Sequence, residues 1–377
     1  MNQSKSGLLE EVGRQRELEE ELRRAKEEAE QASALKDRFV SMVAHDLRSP
    51  LGSIAGLLEL VLEEDKELGE ESRELIVAAY LSVGNMLQMV EELLNLSRLK
   101  AGKITFDRQF LDGHYLVGQV IDRIRQQAEQ KGVAIHNRIP EGTRLYTDHH
   151  LFSEVIQNLL VNALKFSHSG GEIEILRPEG EDPVIAVRDH GVGIPAELHD
   201  QLFQMDLKTS TPGTAGEKGT GLGLPFCFDV MAAAGGRLWL ESEPGAGSTF
   251  YAGLPAVRPR VLVVDDQRVD RQMASLFLRQ LAVEVVECEG AEQALEALQR
   301  ETFHLLISDI TMPGMDGFTL LRAVRKDPSL QSLSVILVTG DQEMKTRDTA
   351  FRLGADDYAV KPIVAQDFLP RVRRMVG

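Results

Sequence analysis

The sequence predicts a multidomain chain. An α-helical coiled coil runs into a helical hairpin that a second copy completes as a dimeric four-helix bundle. An α/β sandwich and then a doubly wound α/β domain with five parallel strands follow. Three observations carry this reading. Up to Lys100, apolar residues recur at helical spacing without a strand-like run. From Ile104 to about Pro255, short apolar strands mix with two helices and Gly-rich turns. After Pro259, strand and helix patterns alternate five times.

The chain has 377 residues, 43% hydrophobic and 27% charged, enough for several buried cores. Its formal charge of −17 disfavours a nucleic-acid partner and an anionic membrane surface. Phosphate ligands stay open to it, since backbone N–H groups bind phosphate without net positive charge. Cys227 and Cys288 lie far apart and in no CxxC pattern, which argues against a disulfide framework or zinc site and suits the cytoplasm. No apolar run approaches the ~18–20 residues of a membrane helix, and MNQSKSGLLEEVG lacks the core of a signal peptide. The expectation is a soluble, cytoplasmic chain, with any upstream sensor on another chain or removed from this one.

Residues 1–34 read as a signalling helix. Leu18, Leu22, Ala25, Ala29, Ala32, Phe39 and Val43 form a heptad seam, Lys36 taking one slot. A single solvated helix with pairs such as Glu20 to Arg24 is the alternative. Residues 35–102 form the hairpin: one helix to about Glu64, a turn at 65–69, and a second helix from Glu70 to Lys100, ended by Gly102. Its apolar stripe calls for a partner, hence a homodimer. His45 sits off the seam with Asp46 beside it, and Asp46 can orient the imidazole and raise its basicity. Pro50 loosens the helix just beyond. Taken alone, a histidine on an amphipathic helix usually reads as a surface or satisfied histidine, and it is the neighbours of His45 that change this.

Residues 103–255 carry the mixed pattern. The predicted strands are 133–139, 172–176, 184–189, 237–241 and 248–254, and the helices 116–131 and 150–166. Asn158, Asn162 and Lys165 share one helix face; amide oxygens suit Mg²⁺ and the lysine suits phosphate. Asp189 ends a strand before Gly191 and Gly193, so backbone can approach a planar base whose exocyclic amine the carboxylate accepts. Gly219, Gly221 and Gly223 lead into a helix and offer N–H groups to phosphates. Separately these are an amphipathic helix, a tight turn and a Gly-rich loop. Lys208 to Gly223, rich in Gly, Thr, Ser and Pro, reads as a mobile loop.

Residues 256–259 form a very short linker to the last domain, 260–377. Its strands are 261–264, 283–287, 305–308, 335–338 and 357–360, with helices at 269–281, 291–300, 318–326, 345–353 and 364–375. Asp265 and Asp266 close the first strand, Asp309 the third, Thr339 the fourth and Lys361 the fifth, so all five meet in one crevice. Three carboxylates there require a cation, and Mg²⁺ fits oxygen ligands. Lys361 and Thr339 can stabilise charge on a transferring phosphoryl group.

Phe39 and HDLRSPL resemble the phosphoacceptor box of bacterial sensor histidine kinases. That resemblance implies that His45 attacks the γ-phosphate of ATP with Asp46 as general base. Ser49 stands where the family more often places Thr or Asn to position water for dephosphorylation. The four motifs at Asn158–Lys165, Asp189–Gly193, Phe203 and Gly219–Gly223 resemble the N, G1, F and G2 boxes of the ATP-binding domain shared by histidine kinases, type II topoisomerases, Hsp90-type chaperones and mismatch-repair ATPases. Asn162 then binds Mg²⁺, Asn158 and Lys165 meet the phosphates, Asp189 reads adenine, and the loop from Lys208 to Gly219 is the ATP lid. Two departures imply altered lid packing: a second aromatic is missing after Phe203, and Pro225-Phe226 replace smaller residues. The last domain resembles a response-regulator receiver, with Asp309 as phosphoacceptor, Asp265 and Asp266 as metal ligands, Tyr358 as the aromatic switch, and Lys361-Pro362 at a cis-proline site. Gly340 replaces the frequent alanine.

The resemblance as a whole is to a hybrid histidine kinase, an ATP:protein-L-histidine phosphotransferase. It implies autophosphorylation of His45, transfer to Asp309, and onward signalling in a two-component phosphorelay to a separate histidine-phosphotransfer protein or response regulator. The alternative is a scaffold whose receiver gates the kinase with little onward transfer, suggested by the short linker. A non-kinase ATPase would leave HDLRSPL and the last domain unexplained.

Overall fold

The computed structural model describes residues 43, 47–62, 69–100, 106–180, 183–204, 211–217, 221–340 and 344–377. They fall into two compact units, Met1–Thr105 with Glu197–Pro212 and Gly216–Ala233, and Phe106–Ala196 with Gly213–Ala215 and Ala234–Gly377.

In the first unit, residues 47–62 form helix α1 and Glu70–Lys100 form α2. Gly69 opens α2, its carbonyl accepting from the Arg73 N–H at 3.0 Å. Leu51 of α1 packs against the buried Val90 of α2, as an antiparallel hairpin requires. Leu57 and Leu75 stay exposed, at 66% and 68%, so an apolar stripe remains unpartnered within one chain. The predicted coiled coil over 1–34 lies outside the described residues.

The second unit begins with an element the sequence pattern does not suggest. Strands β1 (Arg108–Asp112) and β3 (Arg144–Asp148) pair antiparallel as a separate two-stranded ribbon. Each ends in an aspartate that caps the next helix: Asp112 accepts from the His114 and Tyr115 N–H groups, and Asp148 from those of His150 and Leu151. The capped helices are α3 (Gly113–Lys131) and α4 (His149–Phe166). Strands β2 (Ala134–Asn137), β4 (Glu172–Leu176), β5 (Val184–Asp189), β6 (Arg237–Glu243) and β7 (Gly247–Gly253) form a mixed sheet in the order β2-β4-β5-β7-β6. On β4, Ile173 and Ile175 alternate inward, and Val117, Val120, Leu159 and Leu160 of α3 and α4 are fully buried. Helix α5 (Gly223–Ala233) belongs to the first unit.

The C-terminal domain, expected to be a receiver, follows as β8 (Arg260–Val264), α6 (Arg268–Leu278), β9 (Glu284–Cys288), α7 (Ala291–Arg300), β10 (Leu305–Asp309), α8 (Gly317–Lys326), β11 (Ser334–Thr339), α9 (Met344–Arg352), β12 (Asp357–Val360) and α10 (Ala365–Val376). All neighbouring strands are parallel, in the order β9-β8-β10-β11-β12. Strand order reverses between β8 and β10, which opens the crevice at their carboxyl ends. Both sheet faces are covered. Leu262, Val264 and Leu306 pack towards α7 and α8, while Val261, Val263, Leu305 and Ile307 pack towards α6 and α10.

Candidate functional site

The receiver crevice is the most fully assembled site. Asp309 closes β10 and is 3% exposed; Asp265 follows β8 and is 5% exposed; Asp266 is exposed. Their carboxylate oxygens lie within 4.8 Å of one another. Lys361 reaches in from the end of β12, its Nζ 2.7 Å from Asp309 Oδ2 and 2.8 Å from Asp265 Oδ2. A third acid, Asp270 on the first turn of α6, meets the same ammonium at 2.9 Å. Burial opposes the Lys361 charge, yet hydrogen bonds to Asp265, Asp309 and Asp270 outweigh it and hold the ammonium above its ordinary pKa. Burial likewise raises Asp265, against the pull of Lys361 and of the Gln267 N–H. Thr339 is buried at the end of β11, and its carbonyl accepts the Lys361 N–H at 2.7 Å. The Lys361-Pro362 peptide is cis.

Backbone closeness shapes this crevice too. A Cβ on Gly317 would stand 2.2 Å from the Asp309 carbonyl oxygen, so the loop from Thr311 to Asp316 returns to the strand only through glycine. Arg271, 6% exposed, donates to the Asp265 carbonyl at 2.6 Å and to Glu289 at 2.9 Å, which pins the first acid from behind. Neither Asp270 nor Arg271 stands out in the sequence, where both look like surface charges on an amphipathic helix. The acid triad fits a small, oxygen-loving dication, with the ammonium as counter-charge.

Of the nucleotide-binding candidates in the second unit, the end of α4 and the turn after Asp189 come together at one end of the mixed sheet. Asn158, Asn162 and Lys165 line one half-buried side of α4, whose opposite side carries Val155, Leu159 and Ala163 into the core. Asp189 is 4% exposed, and its Oδ1 accepts from the Gly191 N–H at 2.9 Å and the Ser248 N–H at 3.3 Å. Burial raises its pKa, the Gly191 and Ser248 N–H groups and His190 opposing. Gly191 passes so close to the end of α4 that a Cβ would lie 2.2 Å from the Phe166 carbonyl oxygen. Gly193 has φ +68, and its Cβ would lie 1.9 Å from the Glu243 carbonyl oxygen. Gly247, absent from the sequence motifs, meets the Asp189 carbonyl in the same way at 2.1 Å.

Of the predicted mobile loop, residues 211–217 and 221–223 are described, and Gly219 is not. Thr214 is tied to α4: its N–H donates to the Lys165 carbonyl at 3.1 Å and its hydroxyl to that of Ser167 at 2.5 Å. Gly221 has φ 76, and Gly223 starts α5. Phe203 does have an aromatic neighbour, supplied by α5: the Phe228 ring stacks on it with centroids 5.4 Å apart. Pro225 falls in the first turn of α5, where the missing N–H costs nothing. His45 and Asp46 lie outside the described residues. Ser49 is exposed on α1, its carbonyl accepting from the Ser53 hydroxyl at 3.1 Å.

Three family models match the chain in sequence order. They are the His Kinase A (phospho-acceptor) domain over residues 35–102, the histidine kinase-, DNA gyrase B- and HSP90-like ATPase over 147–258, and the response regulator receiver domain over 261–373. The sensor protein EvgS of Escherichia coli K12 is 30% identical over 90% of this chain and 30% of its own length. The sensory/regulatory protein RpfC of Xanthomonas campestris pv. campestris is 26% identical over 92% of this chain and 55% of its own. The autoinducer 2 sensor kinase/phosphatase LuxQ of Vibrio cholerae is 29% identical over 93% and 44%. The chain thus spans between about a third and a half of these curated relatives. Phosphoacceptor, ATPase and receiver domains in this order place the chain in the hybrid histidine kinase family.

Proposed function

We propose that this chain is a protein histidine kinase that moves a phosphoryl group from ATP to His45 and from His45 to Asp309. The observation that carries the reading is the Lys361 ammonium held 2.7 Å from Asp309 inside a triad of acids. Such a crevice serves a carboxylate that must accept a dianionic group.

In the first step an imidazole nitrogen of His45 attacks the γ-phosphorus and the bond to ADP breaks. Asp46 takes up the charge and proton on the other ring nitrogen. Asp189 receives the adenine amine, Gly191 and Gly193 let the base lie against backbone, and Asn158, Lys165 and the glycines 219, 221 and 223 face the phosphates. In the second step an Asp309 oxygen attacks the phosphohistidine phosphorus, the P–N bond breaks, and the proton returns from Asp46 to the ring so that neutral imidazole leaves. Lys361 and Thr339 stabilise the equatorial oxygens, and Lys361 gives up part of its bonding to Asp309 as it does so.

Asn162 would hold Mg²⁺ at the nucleotide, and Asp265, Asp266 and Asp309 would hold it in the receiver. There it supplies charge neutralisation for phosphoryl oxygens. The exposed stripe of α1 and α2 fits a second copy, giving a homodimer with a four-helix core. Among the described residues no helix is long and apolar enough to cross a membrane. The onward acceptor is a separate histidine-phosphotransfer protein or response regulator. Ser49, exposed on α1 and four residues after His45 in the sequence, would position water for hydrolysis of the phosphohistidine.

The test is label from [γ-³²P]ATP with Mg²⁺. The wild type should carry acid-labile and base-labile label, and His45→Gln none of either. Undiminished labelling of His45→Gln would overturn the proposal.

A further inference from the structure

The ribbon does more than start the ATP domain. Phe110 and Tyr146 face each other across β1 and β3, so their rings lie on one side of the ribbon, 4.6 Å apart. Leu111 and Leu145, one residue along, point to the other side, and Leu145 is fully buried. An aromatic pair on the outer face of a two-stranded ribbon would meet water unless something covers it. The receiver covers it. His304 stands edge-on to both rings, at 5.2 and 5.0 Å. Phe110 is 8% exposed and belongs to the receiver's own core cluster, with Val261, Leu305, Val372 and Val376; Tyr146 and Met375 pack beside it. Arg144 lies 6.0 Å over the Phe110 ring and donates to the Gly377 carbonyl at 3.0 Å. The linker joins in, with Val257 packed against the same cluster.

This contact uses the rim where β8 and β10 begin. The acid crevice lies at the opposite ends of those strands, roughly 13–16 Å away at the usual rise per residue. Helix α10 connects the two. It starts at Ala365, four residues after Lys361, and in its second half Arg371 and Arg374 grip Asp357, the first residue of β12, at 2.9 and 2.7 Å, with Arg371 5.8 Å over the Tyr358 ring. The same strand delivers Lys361 to Asp309. The end of α10, from Val372 to Val376, packs on the ribbon.

We propose that the β1–β3 ribbon is the receiver's seat on the ATP domain, and that α10 carries the charge state of Asp309 into that seat. This regulation in cis rests on the reading of Asp309 as phosphoacceptor. When a phosphoryl group arrives, Lys361 must leave part of its three-carboxylate clasp, and β12 and α10 follow it. The rim contact leaves the crevice open to an external partner while the ribbon registers whether Asp309 is charged.

Hydrogen exchange on the full chain tests this without any kinase turnover. Beryllofluoride with Mg²⁺ serves as the phosphoryl mimic. In the wild type, exchange in peptides covering 106–112 and 143–148 should shift by about tenfold on its addition, together with the crevice peptide 305–312. Asp309→Asn should abolish both responses. A Phe110→Ser, Tyr146→Ser variant should exchange faster in the ribbon and keep only the crevice response. A wild-type crevice response without a ribbon response would overturn the inference and leave Asp309 as acceptor. No response at either place would defeat both. A ribbon response that persists in the serine variant would show that the signal bypasses the seat, and would also overturn it.

Discussion

The two candidate sites of the second unit are built on different principles. The receiver crevice is made of charges: three acids clasp one ammonium, Asp265 and Asp309 from strand ends and Asp270 from the first turn of α6. The nucleotide end of the mixed sheet is made of absences. Gly191, Gly193 and Gly247 let three backbone segments approach where no Cβ fits, around one buried carboxylate. The comparison teaches that the receiver should fail when a charge is removed, and the ATP site when a methyl group is added.

The largest effect should come from the receiver. Lys361→Met removes the single ammonium and leaves Asp265, Asp270 and Asp309 to repel. Transfer from phospho-His45 to Asp309 should slow by about 10²–10³-fold, read by quenched-flow labelling, with His45 charging at its normal rate. Equal slowing of His45 charging would break the division between the sites. Next comes Gly193→Ala, which adds a Cβ at a positive φ 1.9 Å from a carbonyl oxygen. Nucleotide affinity should fall about 100-fold by titration of a fluorescent ATP analogue, while beryllofluoride binding to the receiver is unchanged. An affinity within a factor of two of wild type would show that the glycine loop is not where the base lies.

A smaller effect sharpens the charge side of the comparison. Asp270→Asn keeps the shape of the clasp and removes one of its three negative charges. Lys361 is then freer to follow a phosphoryl group, so transfer to Asp309 should quicken by about two- to fivefold. Slower transfer would mean that Asp270 positions the ammonium rather than restraining it.

The smallest effect concerns the rim. Burial, and then the Arg260 guanidinium, push His304 below the ordinary imidazole value, and its Nδ1 accepts the Arg260 N–H at 3.0 Å. A depressed imidazole favours the neutral folded ring. Its stabilising contribution is present above the unfolded value of about 6.5 and is lost as pH falls through the folded one. The urea midpoint of the second unit should therefore drop between about pH 7.5 and about pH 5.5, and His304→Gln should flatten that drop. An unchanged slope in the variant would remove His304 from the account.

What could be read from the sequence follows the same division. Four of the five receiver strands are short apolar runs that end in, or lead straight into, a candidate residue, so Asp265, Asp309, Thr339 and Lys361 announce both those strands and the crevice. Strands 172–176 and 184–189 are legible for the same reason, with Asp189 at an apolar strand's end. The ribbon is not. Arg108-Gln109-Phe110-Leu111-Asp112 offers only two apolar residues, and its partner strand lies beyond a helix and another strand, so no local turn marks the pairing. Asp270 is silent because its neighbours on α6 are charged too; only its distance to Lys361 reveals it. Thr214 sits in a stretch whose composition signals mobility, and the tie to α4 depends on the Lys165 and Ser167 carbonyls, almost fifty residues away. The helix-capping roles of Asp112 and Asp148 become visible only once the strands before them are known.

The central claim is the direction of phosphoryl flow, and one variant isolates it. In Asp309→Asn the second step is closed. After a brief incubation with ATP and Mg²⁺, mass spectrometry under mildly alkaline conditions should find the phosphoryl group on His45, accumulating above the wild-type level. A phosphoryl group on any other residue, or none at all, would contradict the account.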